Sequence, residues 1–156
     1  MQTDETHSVP PKWPPHITVA CVIEKQGQFL LVEETSGGRL VFNQPAGHLE
    51  PNESLLEAAK REVLEETGWH CQPTHVLRIS KYIAPHNGTV YYRTTFIAEA
   101  LHHDPNLALD AGIERALWMD IDEIKRQQVK LRSPLVLEDI EHFLQGERYP
   151  LSLIND

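Results

Sequence analysis

Cysteine is scarce. The 156 residues contain two, Cys21 and Cys71, and their placement has no framework spacing. That argues against a disulfide-stapled secreted scaffold and for a reducing, cytoplasmic compartment. Cys21 lies in an apolar run and reads as a buried, inert thiol. Long hydrophobic runs are missing as well. The longest strongly apolar stretch is Ile17 to Ile23, far too short to cross a membrane. The N-terminus has no basic n-region and no apolar h-region, so no signal peptide is expected. Positive charge is in short supply: 14 Lys and Arg stand against 23 Asp and Glu, for a net charge of −9. That argues against a basic surface for a nucleic-acid polymer. It does not argue against a small phosphorylated ligand if divalent cations bridge the two, because the local charge then belongs to the ion.

What is present is ordinary globular material, 40% hydrophobic and 24% charged, enough for one core. No internal repeat is visible. Residues 1–15 are polar and end in a Pro-rich run, which reads as a flexible, extended lead-in. Residues 16–156 read as a single domain.

The chain is organised around GHLEPNESLLEAAKREVLEETGW, Gly47 to Trp69. Gly47 and Pro51 mark a loop. Ser54 and Glu57 form a capping box. Gly68 suits the left-handed position that ends a helix. The spacing therefore predicts a helix over 55–67. At about 100° per residue, Leu56, Ala59 and Val63 share an apolar arc. Leu55, Ala59, Glu62 and Glu66 fall on one stripe that starts apolar and ends acidic, with Glu65 on its flank. A solvated acidic face should lie opposite the apolar arc, yet Glu62 and Glu66 border it. They repel each other at i,i+4 by a few tenths of a kcal/mol. With Glu65 they sit at the negative end of the helix dipole, which costs roughly 0.3–1 kcal/mol each. A bound cation would offset this, and oxygen-only ligands point to Mg²⁺ or Mn²⁺ rather than zinc. Arg61 can pair with Glu57 or Glu65, either as an ordinary surface pair or to hold a carboxylate in position.

Gly47, Glu53, Arg61-Glu62-Val63, Glu65-Glu66, Gly68 and a bulky apolar residue, at these intervals, resemble the Nudix box at every fixed position. Trp69 stands where that family more often has an aliphatic residue. The resemblance implies an α/β/α sandwich with a mixed β-sheet. It implies hydrolysis of a phosphoanhydride linked to another group. It also implies Mg²⁺ held by Glu62, Glu65 and Glu66 with the Gly47 carbonyl, and Glu53 steadying the helix and Arg61. HITVACVIE, NQPAGHLE, YIAP, LRSPLV and RYPL further resemble the NudJ phosphatase branch of that family. This branch releases orthophosphate from nucleoside di- and triphosphates and acts on pyrophosphates of thiamine and hydroxymethylpyrimidine. On that footing the candidate catalytic residues are Glu65, Glu66, Arg61 and Glu53. Glu65 is the first choice for the base that takes a proton from water, and Glu66 the second.

Substrate contacts must come from outside the box. Phe42 is placed to stack on a ring, beside Asn43 and Gln44. Arg93 and Arg132 are placed to grip phosphate, and His86 to act as an acid. The expected partner is a small pyrophosphate compound, with the chain a monomer or homodimer. ADP-ribose, nucleotide sugars and dinucleoside polyphosphates are the alternative substrates. A non-catalytic nucleotide-binding module is the alternative role.

Coarse patterning predicts strands over 17–23, 29–32, 40–43, 75–83, 89–100 and 114–119, with a hairpin turn at Asn87-Gly88. A short helix opens at Asp120. A last helix is capped by Ser133, with Pro134 at its first position. Its core face is Leu135, Val136, Ile140, Phe143 and Leu144; Glu138, Asp139, Glu141 and His142 are set outside.

Overall fold

A computed structural model describes residues 14–155. The lead-in expected over 1–15 therefore lies almost wholly outside the described residues. In chain order the elements are β1 (His16–Lys25), β2 (Gln28–Ser36), β3 (Arg39–Asn43), β4 (Ala46–His48), α1 (Leu55–Thr67), β5 (Trp69–Ile83) and β6 (Val90–His103). Then follow β7 (Ile113–Asp120), α2 (Ile121–Arg126), α3 (Leu135–Leu144) and β8 (Tyr149–Pro150).

Among the described residues the strands form one mixed sheet in the order β3-β2-β1-β6-β5-β8, with β4 beside β1 and β7 beside β2. β1 and β6 run parallel, and the other strand pairs are antiparallel. Side chains alternate across the sheet, as the period of two requires. Val19, Cys21 and Ile23 of β1 meet Ala58, Ala59 and Val63 of α1 on one face. Val22, Leu31 and Ile97 meet Ile124, Val136 and Ile140 of α2 and α3 on the other. The result is the expected α/β/α sandwich, with α1 and α3 on opposite faces.

Local chemistry sets the element ends. Gln26 and Gly27 both take positive φ, 54° and 81°, in the two-residue loop between Lys25 and its partner Gln28. That is the backbone a tight right-twisted hairpin needs. The Ser54–Glu57 capping box is complete, and Gly68 closes α1 at φ 71°.

The hairpin expected at Asn87-Gly88 joins β5 to β6: Ile83 pairs with Val90, and the connection closes through the Ala84 N–H to the Thr89 carbonyl at 2.9 Å. Three expectations need correction. β5 starts at Trp69 rather than residue 75, because three irregularities in its pairing with β6 carry it past Pro73. Among the described residues no side chain caps α3, whose N-cap is Pro134 rather than Ser133. Asp139 is fully buried while Leu144 is 55% exposed. Asp139 lies three residues after Val136, on the inward stripe; its charge, not its position, suggested solvent.

Candidate active site

α1 packs against β4. Glu62 and Glu66 are buried at 7% and 8% exposure, on the flank of the apolar arc where the helix period puts them. Glu66 Oε2 accepts the Ala46 N–H at 2.9 Å. Glu62 lies flat on Gly47: a β-carbon there would stand 2.0 Å from Glu62 Oε1. The box therefore needs glycine at 47 for close approach rather than for an unusual φ.

Arg61 ties the carboxylates together. Its Nε and Nη2 donate to the two oxygens of Glu53 at 2.9 and 2.7 Å. Nη1 donates to Glu62 Oε1 at 2.7 Å and to Glu65 Oε2 at 3.0 Å. Nη2 also reaches the His48 carbonyl at 3.0 Å. Of the two sequence options the pair is thus with Glu65; Glu57 is occupied by the cap. Hydrogen bonding to Arg61 holds the Glu53 carboxyl below the usual range. Burial pushes Glu62 up, against Arg61. Burial pushes Glu66 up to about 8; the Ala46 N–H opposes this, and Glu62, Glu34 and Asp110 reinforce it.

A cavity of about 500 Å³ opens beside this cluster, on the α3 face of the sheet. Ala46, Gly47 and His48 form the wall it shares with the α1 carboxylates. Arg93, Arg132 and Ser133 also line it, together with Tyr82, His86 and Tyr91. Arg93 and Arg132, the two candidate phosphate donors of the sequence, line the same space, as does His86.

Phe42 and Gln44 do not line it. Phe42 is 6% exposed and packs in the α3-side core, so its ring has no free face for a ligand. Gln44 is buried as a brace: Nε2 donates to the Val136 carbonyl at 3.0 Å, and Oε1 accepts from Arg93 Nη2 at 2.5 Å. Both side chains turn from the strand end into the core.

The sequence reading missed Glu34, His48 and Asp139. Glu34 lines the cavity, accepting from Asn43 Nδ2 at 3.1 Å and Arg132 Nη1 at 2.8 Å. A signal was available in Glu33-Glu34, two acids closing an apolar strand. His48 pairs with His16, Nε2 to Nδ1 at 3.0 Å, beside Tyr91; burial holds it below its ordinary pKa.

The NUDIX domain pattern matches residues 14–140. The chain belongs to the Nudix family of hydrolases and is a phosphohydrolase enzyme. It is 47% identical to the protein named Phosphatase NudJ of Escherichia coli K12, over 91% of this chain and 92% of that one. The same identity and coverage hold for the Phosphatase NudJ of Shigella flexneri. Among solved structures, a NUDIX hydrolase from Nitrosomonas europaea superposes with a TM-score of 0.90 at 46% identity, covering 92% of this chain and 97% of that one. A UDP-X diphosphatase shares the fold at 20% identity and a TM-score of 0.72.

Nudix hydrolases generally use divalent metals. The donor set here fits a hard cation: it is all oxygen, and it includes the buried Glu66 carboxyl, which accepts from a neutral backbone N–H. Among the described residues no three acidic, His or Cys side chains converge on one point. Glu62 and Glu65 turn to Arg61, and Glu66 to Ala46. Among the described residues no helix is long and apolar enough to cross a membrane.

Proposed function

We propose that this chain is a Mg²⁺-dependent phosphohydrolase that releases orthophosphate from small pyrophosphate compounds. The substrates are nucleoside di- and triphosphates and the pyrophosphates of thiamine or hydroxymethylpyrimidine; Mn²⁺ is an acceptable substitute for Mg²⁺. The observation that carries the reading is the complete box folded as one network, Glu53–Arg61–Glu62/Glu65, against Gly47 at the mouth of a cavity. The choice of substrate rests on the likeness to the NudJ phosphatases.

Glu62, Glu65, Glu66 and the Gly47 carbonyl would hold the ion. The chemistry supplied by a bound divalent ion is neutralisation of phosphoryl charge and acidification of the attacking water. Glu53 and Arg61 position the carboxylates. Glu65, the more exposed of the three glutamates, takes the water proton at its carboxylate; Glu66 is the second candidate. The wall formed by Ala46, Gly47 and His48 sets the substrate beside them. Two buried free thiols, Cys21 and Cys71, suit a reducing cytoplasm.

The test is product release from a panel in Mg²⁺: nucleoside di- and triphosphates, thiamine pyrophosphate, ADP-ribose and a dinucleoside polyphosphate, with wild type and Glu66→Gln. Orthophosphate from the nucleotides and thiamine pyrophosphate, lost in the variant, is expected. Cleavage of ADP-ribose or the dinucleotide alone would keep the chemistry and reject the substrate class. No turnover with Mg²⁺ still bound would leave a nucleotide-binding module.

A further inference from the structure

Arg93 stands on β6 in register with Thr18 of β1, which pairs in turn with His48 of β4. Its side chain points to the α3 face, lines the cavity and is only 7% exposed. A guanidinium carries five N–H donors and no acceptor, and burying them unpaired is costly. Nη2 is used on Gln44. Among the described residues, Nε is buried with no hydrogen-bond partner. The nearest carboxylate oxygen, Asp139 Oδ2, is 3.9 Å from Nε, beyond hydrogen-bond reach. Asp139 Oδ2 instead accepts from the Thr95 hydroxyl at 2.8 Å, and among the described residues Oδ1 has no hydrogen-bond partner.

Arg132, on the same cavity, is the opposite case. Its side chain is 44% exposed and it meets Glu34 at 2.8 Å. Its charge is matched and screened by water; that of Arg93 is buried and only half matched. Desolvation lowers the Arg93 pKa and raises that of Asp139, each opposed by the other's charge. A buried pair this loose adds little to stability, since apolar residues of similar volume often do as well. Its geometry suits a third party. Gln44 anchors the guanidinium three residues before Gly47, on the segment that faces the α1 carboxylates. The amide is fixed in turn by Val136 of α3.

We propose that Arg93, held by Gln44 and Asp139, is the oxyanion-binding residue of the cavity. It takes a phosphoryl group of the pyrophosphate substrate, and Asp139 acts through it as a positioning residue. This rests on the phosphohydrolase reading above.

The experiment compares wild type, Arg93→Met, Asp139→Asn and the distant control Arg115→Ala, whose side chain pairs with Glu33 outside the cavity. It measures kcat and KM on a nucleoside diphosphate, inhibition by orthophosphate, and melting temperature. Arg93→Met should raise KM by roughly tenfold or more, the loss of one charge-assisted hydrogen bond. It should also abolish saturable orthophosphate inhibition, and added guanidinium should restore part of each. Asp139→Asn should raise KM by less, with kcat within about twofold. Arg115→Ala should match wild type. A purely structural pair would lower the melting temperature and leave KM and phosphate inhibition in place; that result overturns the proposal. An unchanged KM in Asp139→Asn overturns the positioning role. If Arg93→Met does not fold, Arg93→Lys replaces it, and a wild-type KM there counts against us. If wild type turns over nothing on the panel, the phosphohydrolase reading fails separately. Calorimetry of orthophosphate binding to wild type and Arg93→Met then decides: no binding to wild type, or equal binding to both, rejects the inference.

Discussion

Glu53 occupies one edge of the Arg61 guanidinium with both carboxylate oxygens, taking Nε at 2.9 Å and Nη2 at 2.7 Å. That leaves Nη1 to Glu62 and Glu65. The fork is planar and rigid, so fixing two of its nitrogens fixes the third. Glu53 thereby acts on carboxylates it never touches. Glu53→Gln keeps the shape but can offer Arg61 only one carbonyl oxygen. We expect kcat to fall by roughly tenfold to a hundredfold, the usual effect of losing such a supporting bond. The helix should persist, since Ser54 and Glu57 still cap it. Circular dichroism beside steady-state kinetics checks both halves; wild-type kcat would remove Glu53 from the assembly.

Gly47→Ala tests the close approach. The added methyl would meet Glu62 Oε1 at 2.0 Å, shorter than any tolerable contact, so the carboxylate must swing away. Gly47 does not have a positive φ, so the backbone itself accepts alanine. The expected outcome is a folded protein with turnover down at least about a hundredfold, and weaker Mg²⁺ binding by calorimetry. Near-normal Mg²⁺ affinity would show that Glu62 has another way to reach the ion.

How much of this was legible in the sequence differs by residue. α1 was readable from Leu55 to Thr67 because its signals are local: a capping box, a 3.6-residue stripe and a terminal glycine. The same stripe placed Glu62 and Glu66 against the core. Asp139 was misplaced because its charge outweighed its position three residues after Val136. β4 has only three residues and no strand signal of its own; its partners Thr18 to Ala20 lie far away in the chain. The cavity draws on six strands, a hairpin loop and the start of α3 with the residues before it. No periodicity reports which of those segments meet, so Arg93 and Arg132 could be placed by chemistry while Phe42 and Gln44 could not.

Gln44 connects those segments. Gln44→Leu preserves volume but removes the acceptor for Arg93 and the donor to Val136 O. A buried guanidinium left without its partner costs about 1–3 kcal/mol or more. We expect a drop in melting temperature together with a raised KM. The two effects should separate in Gln44→Glu, which keeps an acceptor for Arg93 and loses the donor to Val136. A wild-type KM in Gln44→Leu would detach this residue from the cavity.

Glu66 sets the sign of the pH dependence. Its carboxyl is pushed up to about 8, chiefly by burial, from an unfolded value of about 4.3. A folded pKa above the unfolded one stabilises the protein fully below the lower value, and the contribution is lost as pH rises through the upper one. The metal-free protein should therefore lose stability between these limits. A divalent cation binds the ionised carboxylates, so the Mg²⁺-induced rise in melting temperature should be larger at about pH 8.5 than at about pH 6. Glu66→Gln keeps an acceptor for the Ala46 N–H and carries no charge. In EDTA at the higher pH it should melt above wild type, and it should lose most of the Mg²⁺ increment. Thermal melts of both proteins at the two pH values, with EDTA and with Mg²⁺, give the comparison. Equal Mg²⁺ increments at both pH values would mean that Glu66 is ionised throughout, and that burial is not what governs it.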